Sequence, residues 1–287
     1  MIRAIAQGRE DWVESAERAD PAEWLALRAA WCAVEPQKGS YDDGVIDADR
    51  RALITARKRG VDVILVVHSG GLPDWQIARE GWLDADALAG FGCYVDKLAH
   101  SFGELVKHWV GVWEPLQEAA VYDSEHRRVA RRLLDAQSTA WLHLRKAPGP
   151  GGSGTLVGVA ERFDVPVRKR DQLAGRVLGQ VAGLLGQREA QDAWSQPAAH
   201  SLVSVLASGR LAPPFGAMGE LSGATAAMDF TVAIRPSVAD LHRIWRTGRA
   251  VFVMGATGAA DQAKDEGVRI LGVGPIGSST ISKRPKS

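Results

Sequence analysis

The fold of this chain is decided by the stretch Val61–Val67, VDVILVV, which follows Arg59 and Gly60. Its residues are nearly all apolar and mostly β-branched, which is typical of a strand that is buried on both faces. A parallel sheet covered by helices needs such strands, whereas a strand with one solvated face would alternate apolar and polar residues. Because glycine commonly ends a helix, the pattern predicts that a helix stops here and a parallel strand begins.

Similar apolar runs recur along the chain and are separated by helical patterns. The further runs lie at residues 109–113, 155–160, 230–234, 250–254 and 268–273, with weaker ones at 2–6 and 26–32. Apolar residues at three- and four-residue steps predict helices over 45–58, 88–105 and 121–146, and less regularly over 172–185. Shorter helical patterns lie at 241–246 and 259–266. Strands that alternate with helices predict an α/β fold with a parallel sheet.

Eight strands favour a single trimmed (β/α)8 TIM barrel over residues 1–287, with residues 280–287 as a disordered tail. An open doubly wound sheet is the alternative. That fold usually has a glycine-rich turn after its first strand, and the segment from Gln7 to Glu10, QGRE, is not one.

Composition excludes several classes of protein. The chain has 287 residues, of which 46% are hydrophobic and 24% charged, as in ordinary globular proteins rather than disordered ones. Thirty-five basic and 34 acidic side chains leave a formal charge of +1, so we expect neither a nucleic-acid nor a membrane partner. The two cysteines, Cys32 and Cys93, are too few for a disulfide scaffold and fit a cytoplasmic protein.

A series of motifs runs in a fixed order from residue 31 to residue 122. They are WCAVEPQKGSYD at 31–42, HSGGLPDW at 68–75, GWL at 81–83, VKHW at 106–109 and WEP at 113–115. In order and spacing they resemble the first half of the family 1 glycoside hydrolases, the β-glucosidase family. The later segment 249–258, RAVFVMGATG, resembles the family's strand-seven motif more weakly. The resemblance implies a barrel with its site at the carboxyl ends of the strands, shortened by large deletions.

The resemblance carries over only part of the family's chemistry. Glu114 falls on the family's general acid/base, although a Glu-Pro pair could also serve only to shape the turn. Ala256 stands where the family has its attacking glutamate, and a methyl group cannot attack an anomeric carbon. Gln7 matches a sugar-binding glutamine. Other polar sugar-site positions are changed, to Ala26, Ser69, Trp113 and the pair Ile234-Arg235.

These replacements predict a repurposed pocket. The most favoured function is a cofactor-independent acid/base enzyme, of isomerase, lyase or cyclase type, that acts on a small metabolite in a biosynthetic pathway. Glu114 and His68 form the predicted acid/base pair, although His68 could equally be a satisfied strand-end histidine. The predicted substrate-binding residues are Gln7, Trp31, Ser69, Trp113, Glu161 and Arg235. For Glu161, a solvated loop carboxylate beside Arg162 is the favoured alternative. Two other functions stay open: a non-catalytic protein that binds a carbohydrate or a protein, and a residual atypical glycosidase.

Glycines follow the last two predicted strands. Backbone N–H groups of Gly255, Gly258 and Gly274 would suit an anion, although glycine could merely fill a shortened loop. The scattered histidines show no metal-ligand spacing, so we expect neither a metal nor a cofactor. A missing eighth helix would leave an apolar patch that a second copy of the chain could cover, as in a homodimer.

Overall fold

The computed structural model describes residues 12–21, 23–164, 227–274 and 280–282. Within these ranges, seven parallel strands follow one another in chain order and a short antiparallel strand closes the barrel. The strands are β1 Glu23–Arg28, β2 Asp62–His68, β3 His108–Trp113, β4 Leu156–Arg162, β5 Phe230–Ile234, β6 Ala250–Met254, β7 Ile270–Gly274 and β8 Thr280–Ser282. The predicted α/β fold, a trimmed TIM barrel, is confirmed.

The closure of the barrel differs from the prediction. Strand β8 lies between β1 and β7 and pairs antiparallel with both, with Ile281 opposite Trp24 and Ser282 opposite Val273. Residues 280–282, expected in a disordered tail, form this strand because they pair with backbone groups that β1 and β7 would otherwise leave open. The strand predicted at residues 2–6 and the end of the tail, 283–287, lie outside the described residues.

The strand predicted at 26–32 is displaced toward the N-terminus. Strand β1 ends at Arg28, and Trp31–Val34 forms a short helix, α2. Ala29 and Ala30 have no preference for a strand. The indole of Trp31 donates to the Glu35 carboxylate at 2.7 Å, a contact between positions i and i+4 that a helical turn brings together.

Helices cover the outside of the sheet. Besides α2 they are α1 Trp12–Arg18, α3 Asp43–Lys58, α4 Asp74–Ile77, α5 Ala87–Phe102, α6 Pro115–Ala120, α7 His126–Leu144, α8 Val238–Arg246 and α9 Thr257–Asp265. Asp42 caps α3 by accepting from the Val45 amide, and a capping box of Ser237 and Asp240 starts α8. The helix predicted over 121–146 begins later, at His126, and the one predicted over 172–185 lies outside the described residues.

The core has two layers, because side chains alternate between the two faces of each strand. Ile64, Val66, Val110, Val232 and Phe252 fill the barrel interior. A larger cluster, which includes Leu65, Val67, Val157 and Val159, lies between the strands and the helices. A filled interior confines any site to the mouth at the carboxyl ends of the strands. None of the helices in the described ranges has both the length and the apolar character needed to cross a membrane.

Candidate active site

An ion pair joins the carboxyl ends of β3 and β4. Nε and Nη2 of Arg162 both donate to Oε1 of Glu114, at 3.2 and 3.0 Å. The Glu114 side chain is 19% exposed and that of Arg162 is 30% exposed, so the ion pair is partly buried but still accessible to solvent. Arg162 continues the inward-facing positions of β4 after Ala160, which places its side chain at the mouth. Sequence reasoning did not assign Arg162 to the site.

The backbone of Glu114 is strained. Its φ and ψ are 50° and 52°, in the left-handed region, which costs a residue other than glycine about 1–3 kcal/mol. Its amide donates to the carbonyl of Ala160 at 2.7 Å, and Pro115 follows as the first residue of α6. These contacts hold the conformation against its cost. Such strain clusters at functional sites, which favours the reading of Glu114 as more than a turn residue.

Glu161 lies behind the ion pair. It follows Val157 and Val159 on the outer side of β4 and is fully buried, so it is not a solvated loop carboxylate. Its Oε1 accepts from the amide of Arg162 at 2.7 Å, and its Oε2 accepts from the amide of Leu116 at 3.1 Å. Burial raises the pKa of this carboxyl to about 8, although both hydrogen bonds act to lower it. Glu161 therefore ties the backbone beside Arg162 to the start of α6.

Trp113 lies at the mouth under a second arginine. The guanidinium carbon of Arg28, the last residue of β1, is 4.7 Å from the centre of the indole, which is a cation–π contact. The resemblance put the family's strand arginine at position 26, where this chain has alanine. Residues two positions apart in a strand point to the same face of the sheet, so Arg28 places a guanidinium on the face where position 26 points. That period of two was the signal that could have identified Arg28.

His68 is bonded to a carboxylate that the sequence did not single out. It is 1% exposed, and its Nε2 lies 2.8 and 3.0 Å from the two oxygens of Glu118. The indole of Trp82 donates to the same carboxylate at 2.7 Å, and its ring meets the imidazole edge to face. Glu118 lies one helical turn after Glu114, which was the available sequence signal.

His68 and Glu114 do not form a hydrogen-bonded pair. In the described part of the chain, no hydrogen bond joins the two side chains, because each is engaged by another charged group. The Nδ1 of His68 is buried without a hydrogen-bond partner. When Nε2–H donates to Glu118, Nδ1 of the neutral ring carries a lone pair that can accept a proton. The geometry gives two separately engaged side chains rather than one bonded pair.

The other predicted substrate-binding residues occupy different places. Trp31 is buried and stacks on Tyr94 at 5.2 Å, so it packs the framework behind the strands. Ser69 is half-buried just after β2. Arg235 follows β5 in the left-handed region and pairs with Asp164 at 2.9 Å. Gln7 lies outside the described residues.

The glycines at the ends of β6 and β7 are engaged in the sheet or in a helix. The amide of Gly255 donates to the carbonyl of Gly274 at 2.8 Å, so this donor does not face an anion as predicted. Gly258 lies in the first turn of α9. Ala256 caps that helix and is half-buried, with only a methyl group to present. Over the residues that the structure describes, no cluster of histidine, cysteine and carboxylate side chains could hold a metal ion.

Comparison with solved structures shows what the barrel is similar to. A family 1 β-glucosidase from Thermotoga maritima matches with a TM-score of 0.68 at 14% identity, over 91% of this chain and 76% of that one. The chain has the fold of the family 1 β-glucosidases. A β-glycosidase from Pyrococcus horikoshii matches with a TM-score of 0.67 at 13% identity, over 87% of this chain and 70% of that one.

Another match is the AHE enzyme from Alicyclobacillus herbarius, with a TM-score of 0.69 at 16% identity, over 93% of this chain and 76% of that one. Identities this low establish the scaffold alone. Comparison of the sequence with family models and with curated proteins gives no match.

Proposed function

We propose that this chain is a β-glucosidase-like barrel that has kept the proton-handling carboxylate of a glycosidase and lost the attacking one. It then serves as a cofactor-independent acid/base enzyme on a small metabolite, in a biosynthetic pathway, with Glu114 as general acid/base and His68 as a second proton-transfer group. The observation that carries this proposal is the strained, part-buried Glu114 at the mouth, held in an ion pair with Arg162.

Among the described residues, the lack of a matching second carboxylate argues against glycoside hydrolysis by double displacement. A retaining glycosidase needs two carboxyl groups about 5 Å apart across the sugar. At the aligned position this chain has Ala256, and Glu161, the carboxyl next to the ion pair, is turned to the outer side of β4. The described residues therefore offer Glu114 a guanidinium as its neighbour, which stabilises negative charge instead of attacking carbon.

Proton exchange with solvent tests this function without a known substrate. The protein is incubated in D2O with a metabolite extract, and deuterium incorporation into each compound is followed by mass spectrometry. We expect at least one compound to exchange, and Glu114→Gln to slow that exchange by about 100-fold or more, as loss of a general base does. Glu104→Gln, which changes an exposed carboxylate, is the matched control and should exchange as the wild type does.

Two other results would overturn the proposal. Release of nitrophenol from aryl glycosides, lost in Glu114→Gln, would show a residual glycosidase. Saturable binding of a ligand without exchange or product would show a binding protein. Circular dichroism of each variant checks that the barrel is folded.

A further inference from the structure

Among the residues that the structure describes, the ion pair at the mouth leaves one oxygen of Glu114 and N–H groups of Arg162 without a partner. Both contacts from Arg162 go to Oε1 of Glu114, so Oε2 is not used. In the described ranges, neither Oε2 of Glu114 nor Nη1 of Arg162 has a hydrogen-bond partner. A guanidinium prefers to fill its planar fork with acceptors, and a carboxylate accepts through both oxygens. A ligand that reaches both Nη1 of Arg162 and Oε2 of Glu114 would bind both groups.

The backbone fixes this arrangement. Glu114 directly follows β3, Arg162 ends the neighbouring strand β4, and the amide of Glu114 donates to the carbonyl of Ala160 on β4. Behind them, the buried carboxyl of Glu161 holds the amides of Arg162 and Leu116. Groups held by strands and by buried hydrogen bonds lose little freedom when a ligand binds, which is the condition for efficient proton transfer.

We propose that this pair binds a small carbonyl or carboxylate compound, with the ligand oxygen on Nη1 of Arg162 and an adjacent C–H bond facing Oε2 of Glu114. This rests on the proposed function and names its substrate class. Oε2 takes the proton, the C–H electron pair forms a carbon–carbon double bond, and the carbonyl π pair moves onto the oxygen. Arg162 stabilises the resulting enolate oxygen, and return of the proton to the same or a neighbouring carbon restores the carbonyl. No oxidant or metal enters this balance.

Oxalate is a suitable probe because it is a planar mimic of an enolate beside a carboxylate. Its affinity is measured by calorimetry on the whole chain. Glu114→Gln imitates Glu114 after it has taken the proton and removes its negative charge, so this variant should bind oxalate about threefold or more tightly than the wild type. Arg162→Gln should bind at least about tenfold more weakly, because a charge-assisted contact is lost.

Opposite shifts in the two variants are the signature of this site. Arg145→Gln is the matched control, since Arg145 pairs with Asp229 just before β5, at the end of the barrel away from the mouth, and its oxalate affinity should equal that of the wild type. Arg162→Lys keeps the positive charge but not the planar guanidinium, so it should bind oxalate with intermediate affinity. This variant replaces Arg162→Gln in the test if Arg162→Gln does not fold. Equal weakening in the Glu114 and Arg162 variants, or an unchanged affinity in Arg162→Gln, would overturn the assignment. Oxalate binding with the expected pattern but no solvent exchange would support this site and refute the proposed catalysis.

Discussion

Ionisation of Glu161 should make the stability of the barrel depend on pH. The folded carboxyl has a pKa of about 8, against an ordinary value of 4.5, because burial disfavours its charged form. The folded state therefore holds the proton more tightly than the unfolded state. The stabilisation is complete below about pH 4.5, declines as the pH rises toward 8, and is lost above that value. One pKa unit corresponds to about 1.4 kcal/mol, so the full loss is on the order of 5 kcal/mol.

Glu161→Gln removes this titration while keeping nearly the same shape. Urea unfolding of the wild type and the variant, followed by the fluorescence of the ten tryptophans, gives the free energy of unfolding of each at several pH values. The wild type should lose stability relative to the variant by about 1.4 kcal/mol for each pH unit between about 5 and 8. Glu104→Gln, at an exposed position, should follow the wild type at every pH. A constant difference between wild type and Glu161→Gln would mean that folding does not change the proton affinity of Glu161.

Substitutions at four positions test the packing and the mouth. Gln137→Leu should lower the free energy of unfolding by about 3 kcal/mol or more in urea titrations, because the buried amide serves three backbone groups that would lose their partners. Glu118→Gln should move the His68 proton from Nε2 toward Nδ1 in nitrogen NMR spectra, since a glutamine that keeps its oxygen on the Trp82 indole presents its NH2 group to Nε2, and adding Trp82→Phe should reverse the shift. Glu114→Gly should be more stable than Glu114→Ala by about 1 kcal/mol in thermal unfolding, because both lose the ion pair but only alanine keeps the left-handed strain; equal stability would remove the strain argument.

The sequence predicted the strands whose residues are nearly all apolar. No tertiary information was needed to predict strands at 61–67, 230–234 and 250–254. A strand that is buried on both faces has a continuous run of apolar residues, which is visible in the sequence. The sequence did not predict the strand that depends on backbone hydrogen bonds to its neighbours and not on apolar side chains. The three-residue strand β8 has no such run, and its pairing depends on two strand edges that only the folded barrel brings together.

The candidate site was predictable residue by residue but not pair by pair. The resemblance and the strand-end rule indicated Glu114, His68 and Trp113, and all three lie at the ends of β2 and β3. Their partners, Arg162, Glu118 and Arg28, come from elements distant in sequence. Local spacing marks Glu118 and Arg28 as candidates, but it does not specify which side chain each one contacts. The burial of Glu161 could not be predicted either, because the Leu116 amide that donates to its carboxyl is 45 residues away in the sequence.

The most direct test of the central claim is the rate at which the wild type and Glu114→Gln transfer deuterium from D2O to the carbon of a metabolite that exchanges. If Glu114 is the base, the rate should fall by about 100-fold or more in the variant while the barrel stays folded and Glu104→Gln keeps full rate. An unchanged rate in Glu114→Gln would show that the mouth carboxylate handles no proton, and the account would be contradicted.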